Sequence, residues 1–112
     1  MSFTNWLKSL FSHRGKALSL YRSGMARANE RDYPGAVADY SAAIASPHIP
    51  ADVKAMALYN RALAYSAMEE DAQAAEDLAA VLAMPELPEN IKTAAQQRRE
   101  RIRRRSEETD RP

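Results

Sequence analysis

The sequence predicts an all-α chain built from two stacked helical hairpins, and three observations support this prediction. The 112 residues are rich in Ala and contain only three Gly, which favours helix because Ala loses least and Gly loses most on entering one. Apolar residues recur at steps of three and four, which places them on one helical face. The chain also matches itself at a constant offset of 38 positions, and such a period is typical of stacked repeats.

The repeat is clearest where "SPHIPADVK", which starts at Ser46, recurs as "MPELPENIK", which starts at Met84. Pro47 and Pro85 are expected to end one helix, because proline lacks an N–H and clashes with the preceding turn. Pro50 and Pro88 are expected to begin the next helix, where a missing N–H costs nothing. The phrase therefore predicts the joint between repeats. Elsewhere the identical pairs include Ala17 and Ala55, Leu20 and Leu58, Tyr21 and Tyr59, Ala36 and Ala74, and Asp39 and Asp77.

The predicted helices follow from these joints and from the turn-like strings "NERDYPG" and "MEEDAQ", with Asp32 expected to cap the second helix of the first hairpin. They span 3–12, 16–31, 34–46, 51–69, 72–84 and 88–105. The predicted organisation is an amphipathic N-terminal helix (1–15), a repeat domain (16–105) and a flexible tail (106–112). The repeat domain divides into repeat one (17–50), repeat two (51–87) and a C-terminal capping helix (88–105).

At the residue level the two copies resemble tetratricopeptide repeats, whose pattern runs W-x2-L-G-x2-Y, then A-x3-F, then P. The resemblance implies that the small residues Gly24 and Ala62 stand where the helices of a hairpin cross, and that Ala36 and Ala74 face them. The matching positions are Leu20, Ser23, Gly24, Arg27, Ala36, Tyr40 and Pro47 in the first copy and Leu58, Arg61, Ala62, Tyr65, Ala74, Leu78 and Pro85 in the second. The resemblance implies a tetratricopeptide-like solenoid of two repeats, although the offset of 38 exceeds the usual period of about 34.

The resemblance also implies a non-enzymatic protein-interaction module, whose first helices line a concave groove for a peptide or helix of a partner. The residues implied to face this groove are Tyr21, Arg22, Met25, Tyr59, Asn60, Leu63, Arg98 and Arg101. Arg can bind carboxylates with two parallel hydrogen bonds, and Tyr gives contact area at low entropic cost. This set would suit an extended peptide that carries carboxylates. The alternative is that the tyrosines pack between helices and the arginines are solvated.

The N-terminal stretch predicts a separate amphipathic helix, since its apolar residues follow the i, i+3, i+4, i+7, i+8 spacing of one helical face. These residues are Phe3, Trp6, Leu7, Leu10 and Phe11. The string "SHRGK" that follows predicts a helix stop. Three roles remain open: covering the end of repeat one in the same chain, docking on a neighbouring copy or a partner, or lying on a membrane surface with the help of nearby basic residues.

The net charge of +1 conceals an uneven distribution, because residues 1–16 carry +3, residues 17–91 carry −6 and residues 92–112 carry +4. The densest basic run, "RRERIRRR" at 98–105, is expected to be the solvated side of the capping helix, with phosphate or anionic lipid as the alternative contact. No aromatic residue interleaves with these arginines, and the acidic body would repel nucleic acid. A nucleic-acid partner is therefore not expected.

Several chemistries are not expected. Cys is absent, which excludes disulfides, thiol chemistry and Cys-type zinc sites. His13 and His48 do not form a metal-ligand motif, and no Gly-rich phosphate loop or Ser-His-acid set is present. We therefore expect no catalytic residues, no metal and no cofactor. No apolar run approaches the roughly 18 residues of a membrane span, so the expected location is cytoplasmic, with a peripheral membrane position as the alternative.

Overall fold

The computed structural model describes the backbone of residues 3–111 and the side chains of residues 4, 5 and 15–111. Within these residues the regular secondary structure is entirely α-helical, which confirms the predicted all-α class. The five helices are α1 (Phe3–Asn29), α2 (Tyr33–Ile44), α3 (Ala51–Ala67), α4 (Asp71–Leu82) and α5 (Glu89–Thr109).

Helix boundaries recur at the same offset as the sequence. Helices α2 and α4 both contain 12 residues and start 38 positions apart; α1 and α3 end at this offset, and α3 and α5 begin at it. Residues with positive φ recur in the same way: Arg31 (64°) matches Glu69 (61°), and His48 (58°) matches Glu86 (58°). The sequence repeat is therefore also a repeat of backbone geometry.

The helix ends form where the capping and proline signals predict them. The Gly35 backbone N–H donates to the Asp32 carboxylate at 3.0 Å, with Pro34 in the first turn of α2. Pro50 and Pro88 immediately precede α3 and α5 in extended conformations. Both joints lie outside the helices, as the double-proline phrase predicts.

Helix α1 corrects one prediction, because the helix stop at "SHRGK" is wrong and α1 continues from Phe3 to Asn29 without a break. A single Gly inside a helix costs only about 1 kcal/mol relative to Ala, and Gly15 is the weakest helix former in this string. At 1.5 Å per residue, α1 is about 40 Å long and α2 only about 18 Å. Near the end of α2, Lys16 and Leu20 line a depression together with Ala45. Residues 3–15 therefore continue past α2, which leaves no turn for folding back over the first hairpin.

Helix α5 also exceeds its prediction, since it ends at Thr109 rather than at 105 and includes part of the predicted flexible tail. Arg103 forms ion pairs with Glu100 and Glu107 one turn away on either side. The Thr109 hydroxyl donates to the Arg105 carbonyl oxygen at 3.0 Å. The two ion pairs connect neighbouring turns and favour helix beyond the charge run.

The core consists of two clusters that occupy equivalent positions of the repeat. The first contains Tyr21, Ala36, Tyr40, Ala43, Val53, Ala57 and Ala64. The second contains Leu58, Ala62, Ala74, Leu78, Val81, Ala95 and Ile102. Helix α3 contributes to both, so it is packed on two sides. The stripe of α3 that meets the first hairpin recurs on α5, where Ala95 and Ile102 are buried against the second hairpin.

The close approach of α1 and α2 depends on Gly24. A Cβ at this position would lie 2.5 Å from Cε1 and 2.6 Å from Cδ1 of Tyr40, whose side chain is 1% exposed. The equivalent residues of the second hairpin are Ala62 and Leu78, both of which are buried. A small residue and a large residue therefore meet at the crossing in each hairpin, as Gly and Tyr in the first and as Ala and Leu in the second.

Candidate interaction surface

The predicted groove residues lie at corresponding repeat positions of three helices. We call this set of positions the first-helix face. It comprises residues 18, 21, 22 and 25 of α1, residues 56, 59, 60 and 63 of α3, and residues 94, 97, 98 and 101 of α5. The Asn60 side-chain amide donates to the Tyr21 hydroxyl at 3.2 Å, which links α3 to α1 directly. The face is thus continuous at least from α1 to α3.

The tyrosines of this face act mainly in packing. Tyr21 is buried in the first core cluster, with its ring centroid 5.9 Å from that of Tyr40 and the planes tilted by 39°. Burial raises the pKa of the Tyr21 hydroxyl, since the charged form would be desolvated. Tyr59 is half-buried and packs against the second core cluster. Tyr21 therefore offers a partner little of its ring.

Asn60 is also engaged within the chain. Its side-chain nitrogen donates to the Met56 carbonyl oxygen at 2.8 Å as well as to the Tyr21 hydroxyl. An amide group carries two N–H donors; one of them links α3 to α1 through Tyr21, and the other bonds within α3 itself. Asn60 therefore has no unused side-chain N–H to donate to a peptide.

The remaining predicted residues are more accessible. Met25 is 39% exposed, more than any other large apolar side chain in the described part of the chain. Leu63 and Arg98 are half-buried, whereas Arg22 and Arg101 are exposed. None of the three arginines forms an ion pair with an acid among the described side chains. The face thus combines apolar surface with uncompensated positive charge.

Among the described side chains, five of the eight other arginines form ion pairs, in contrast to those of the first-helix face. Arg27 pairs with Asp32 and Asp39, each at 3.0 Å. Arg103 and Arg104 both pair with Glu100 in α5. The basic run "RRERIRRR" is therefore partly self-compensated. Its charge is not a uniform positive patch.

Arg105 has a structural role, because it ties α5 to the second hairpin. Its guanidinium donates to the carboxylate of Asp71 at the start of α4 and, at 3.2 Å, to the hydroxyl of Ser66 in α3. The hydrogen bond to Asp71 is the main cause that raises the pKa of Arg105. These contacts fix the orientation of α5 and hence the positions of Arg98 and Arg101.

A polar network that sequence reasoning missed joins the two hairpins. Arg61 donates to both carboxylate oxygens of Asp77, at 2.8 and 2.7 Å, and to the Ser41 hydroxyl of α2 at 3.0 Å. Its guanidinium also lies 5.8 Å from the ring centre of Tyr65, within cation–π range. The hydrogen bond to Asp77 raises the pKa of Arg61. The sequence feature that could have indicated this network is an acid that recurs at the same position of both repeats, as Asp39 and as Asp77.

The predicted self-association or anchoring residues lie outside the described side chains. Phe3, Trp6, Leu7, Leu10 and Phe11 belong to α1 by their backbone. Among the described residues, no group of three or more His, Cys, Asp or Glu side chains could hold a metal ion. In the same part of the chain, every helix is too short or too polar to cross a membrane.

Comparison with known proteins adds no family to this description. A scan against protein-family models, a search of curated proteins and a search of solved structures each find no match to this chain. Function must therefore be inferred from the residues and geometry of the chain itself.

Proposed function

We propose that the chain is a non-enzymatic, tetratricopeptide-like interaction module that binds a segment of a partner protein across the first-helix face. The observation that carries the proposal is the contrast between the two sides of the hairpins. The first-helix face presents Met25, Leu63 and three uncompensated arginines. The opposite side presents mainly small residues of α2 and α4, such as Ala38, Ala42, Ala79 and Ala80, which are exposed.

Side-chain size explains why this contrast favours the first-helix face. Interfaces are enriched in Met and Arg and depleted in Ala relative to the remaining surface. A long side chain can contribute area and a charge-assisted hydrogen bond, whereas an exposed Ala contributes a single methyl group. The recurrence of helix ends at the repeat offset supports the tetratricopeptide-like assignment, because it presents these long side chains at matching positions of successive helices.

The test is a selection from random peptides displayed on phage against the immobilised full chain. Enriched peptides are synthesised, and their affinities are measured for the wild type and for Met25→Arg. Ala79→Arg on α4 serves as the control, because it adds the same charge at an exposed position on the opposite side. We expect Met25→Arg to weaken binding at least tenfold and Ala79→Arg to change it less than twofold. Enriched peptides that lose equal affinity to both variants would refute the proposal.

A second candidate function is self-association through the N-terminal part of α1. The observation that favours it is the extension of α1 beyond the end of α2. The apolar spacing of Phe3 to Phe11 gives this extension an amphipathic sequence. Light scattering of the full chain and of a chain lacking residues 1–12 tests it: a dimer that becomes a monomer supports self-association. Equal masses, together with a blue shift of Trp6 emission on anionic vesicles, would favour a peripheral membrane scaffold.

A further inference from the structure

Both proline-rich joints lie at the end of the domain beyond which α1 continues. The first joint follows the C-terminus of α2, where Pro47 and Lys16 of α1 line one depression. The second joint lies against the first turn of α3, where Pro85 and Ala51 line another. We call this surface the joint end and define it as residues 46–53 together with residues 84–91.

Helix α1 extends above the joint end by several turns. Helix α3 begins at Ala51, which is equivalent to residue 13 at the repeat offset, whereas α1 begins at Phe3. The excess, residues 3–12, is about 15 Å long at 1.5 Å per residue, and we call it the N-terminal segment. Its sequence has the apolar spacing of one helical face. Because α1 contains no turn that would fold this segment back over its own hairpin, a second copy is the nearest source of a covering surface.

The joint end offers an apolar depression of about 310 Å³. Apolar side chains form most of its lining, among them Ala51, Met84 and Leu87, and its two charged residues are the acids Asp52 and Glu86. Met84 and Leu87 are half-buried and pack against the second core cluster. The depression therefore has a floor that the core holds in place, and a large apolar side chain can enter it from outside.

The N-terminal region and the joint end carry opposite charge. Residues 1–16 contain three bases and no acid. The joint end contains three acids, Asp52, Glu86 and Glu89, and neither Lys nor Arg. None of these acids forms an ion pair with a base among the described side chains. Complementary charge of this kind speeds association and helps to orient two partners.

The apolar area of the N-terminal segment is large enough for a dimer. A Phe or Trp side chain buries about 150–250 Å², so Phe3, Trp6 and Phe11 of two copies would together bury about 900–1,500 Å². The surfaces that they cover bring this area into the range of about 1,200–2,000 Å² for a specific interface. Since the segment and the joint end lie at the same end of each copy, a two-fold axis satisfies both contacts at once and the assembly closes at two copies.

We infer that two copies associate end to end about a two-fold axis, with the N-terminal segment of each lying across the joint end of the other. This inference rests on self-association, the second candidate function, and adds the receiving surface and the symmetry. The two segments run antiparallel. Because each is about as long as its rise above the joint end, residues near Phe3 reach the depression beside Ala51 and Leu87 of the other copy.

The first test compares two matched substitutions in the full chain. Ala51→Arg places a long cationic side chain at the depression, and Ala72→Arg makes the same change in the first turn of α4, at the opposite end of the domain. Both residues are exposed. Light scattering over a dilution series gives the dimer Kd, which we expect Ala51→Arg to raise at least tenfold and Ala72→Arg less than twofold. Circular dichroism must show equal helicity in both variants.

The second test locates the contact by cross-linking. The chain contains no Cys, so a single introduced thiol reports its own surroundings. A Thr4→Cys chain is equilibrated with an affinity-tagged Glu86→Cys chain and treated with a short bismaleimide. We expect a linked pair of one tagged and one untagged chain. Glu76→Cys, which removes an exposed acid of α4 instead, serves as the matched control and should give at least tenfold less of this product.

The outcomes separate the receiving surface from self-association itself. If deletion of residues 1–12 leaves the mass of the full chain unchanged, both ideas are wrong. If the deletion abolishes a dimer that Ala51→Arg and Ala72→Arg weaken equally, or if Glu86→Cys links no better than Glu76→Cys, the receiving surface is wrong and self-association stands. Assemblies that keep growing with concentration would refute the two-fold closure. A monomer whose Trp6 emission shifts to the blue only on anionic vesicles would overturn the inference in favour of a membrane surface.

Discussion

Replacing Gly24 with Ala is expected to destabilise the protein, although Ala is the better helix former. The added methyl carbon would lie 2.5 and 2.6 Å from two ring carbons of Tyr40, well inside the ordinary contact distance of about 3.5–4.0 Å. The Tyr40 ring is 1% exposed and packs against Tyr21, so it has little room to move. Overpacking of this kind costs about 1–3 kcal/mol.

Gly15 in the same helix provides the matched control. A Cβ at Gly15 meets no atom within 4 Å, and the residue is exposed. Both substitutions gain the same helix propensity, about 1 kcal/mol, so the difference between them isolates the overpacking at Gly24. We expect Gly15→Ala to stabilise the chain by up to about 1 kcal/mol and Gly24→Ala to be about 1–3 kcal/mol less stable than Gly15→Ala.

Urea unfolding followed by circular dichroism measures both changes, provided that the dependence on urea concentration is the same in each variant. A third variant combines Gly24→Ala with Tyr40→Leu, which reproduces the Ala62 and Leu78 pair of the second hairpin. In this background the substitution at 24 should cost less, with a coupling of about 0.5–3 kcal/mol. If Gly24→Ala stabilises the protein as much as Gly15→Ala does, the proposed crossing of α1 and α2 is wrong.

The remaining predictions concern charged and titrating side chains. Arg61→Ala should cost about 3 kcal/mol, because Asp77 is 5% exposed and would lose its charged partner. Arg27→Ala should cost much less, because its pair with Asp32 is exposed to solvent. Equal losses in urea unfolding would contradict this difference. Burial raises the pKa of Tyr40 to about 12. The stability that the neutral Tyr40 contributes is therefore complete below about pH 10 and is lost as the pH rises through 12. A Tyr40→Phe variant that loses as much stability at alkaline pH as the wild type would rule this out. The hydrogen bond from the Gly35 N–H in the α2 cap, followed by the bond from Arg27, lowers the pKa of Asp32. The stability that the ionised Asp32 contributes is therefore present above about pH 4 and is lost as the pH falls through its lower pKa in the folded state. Asp32→Asn should make stability less sensitive to acid in this range, and thermal unfolding at several pH values measures this.

The joints and caps could be predicted because they depend on local chemistry. Pro50 and Pro88 cannot donate a backbone hydrogen bond, and a carboxylate such as Asp32 can cap a helix within a few residues of itself. The end of the first helix was predicted wrongly for a related reason. The string "SHRGK" contains a Gly and basic residues, which are common at helix ends, but one Gly costs too little to interrupt a helix whose neighbouring turns continue on both sides.

The burial of the candidate site required the three-dimensional structure. Tyr21 and Tyr59 occupy the same position of the two repeats. Tyr21 nevertheless lies inside the first core cluster, whereas Tyr59 is only partly buried against the second. Tyr21 packs against the Tyr40 ring and accepts a hydrogen bond from Asn60 of α3, whereas Leu78 takes the position of Tyr40 in the second hairpin. Which side of a first helix is buried therefore depends on residues far along the chain, and no local pattern contains that information.

The two acids at equivalent positions show how the same backbone accommodates different chemistry. Asp39 accepts a hydrogen bond from Ser23 at 2.6 Å and from Arg27 at 3.0 Å. Asp77 instead accepts both bonds from Arg61, which occupies the position equivalent to Ser23. Each repeat thus neutralises its acid with a donor from its own first helix. These donors are therefore used internally, whereas Arg22, Arg98 and Arg101 of the first-helix face form no ion pair with an acid among the described side chains.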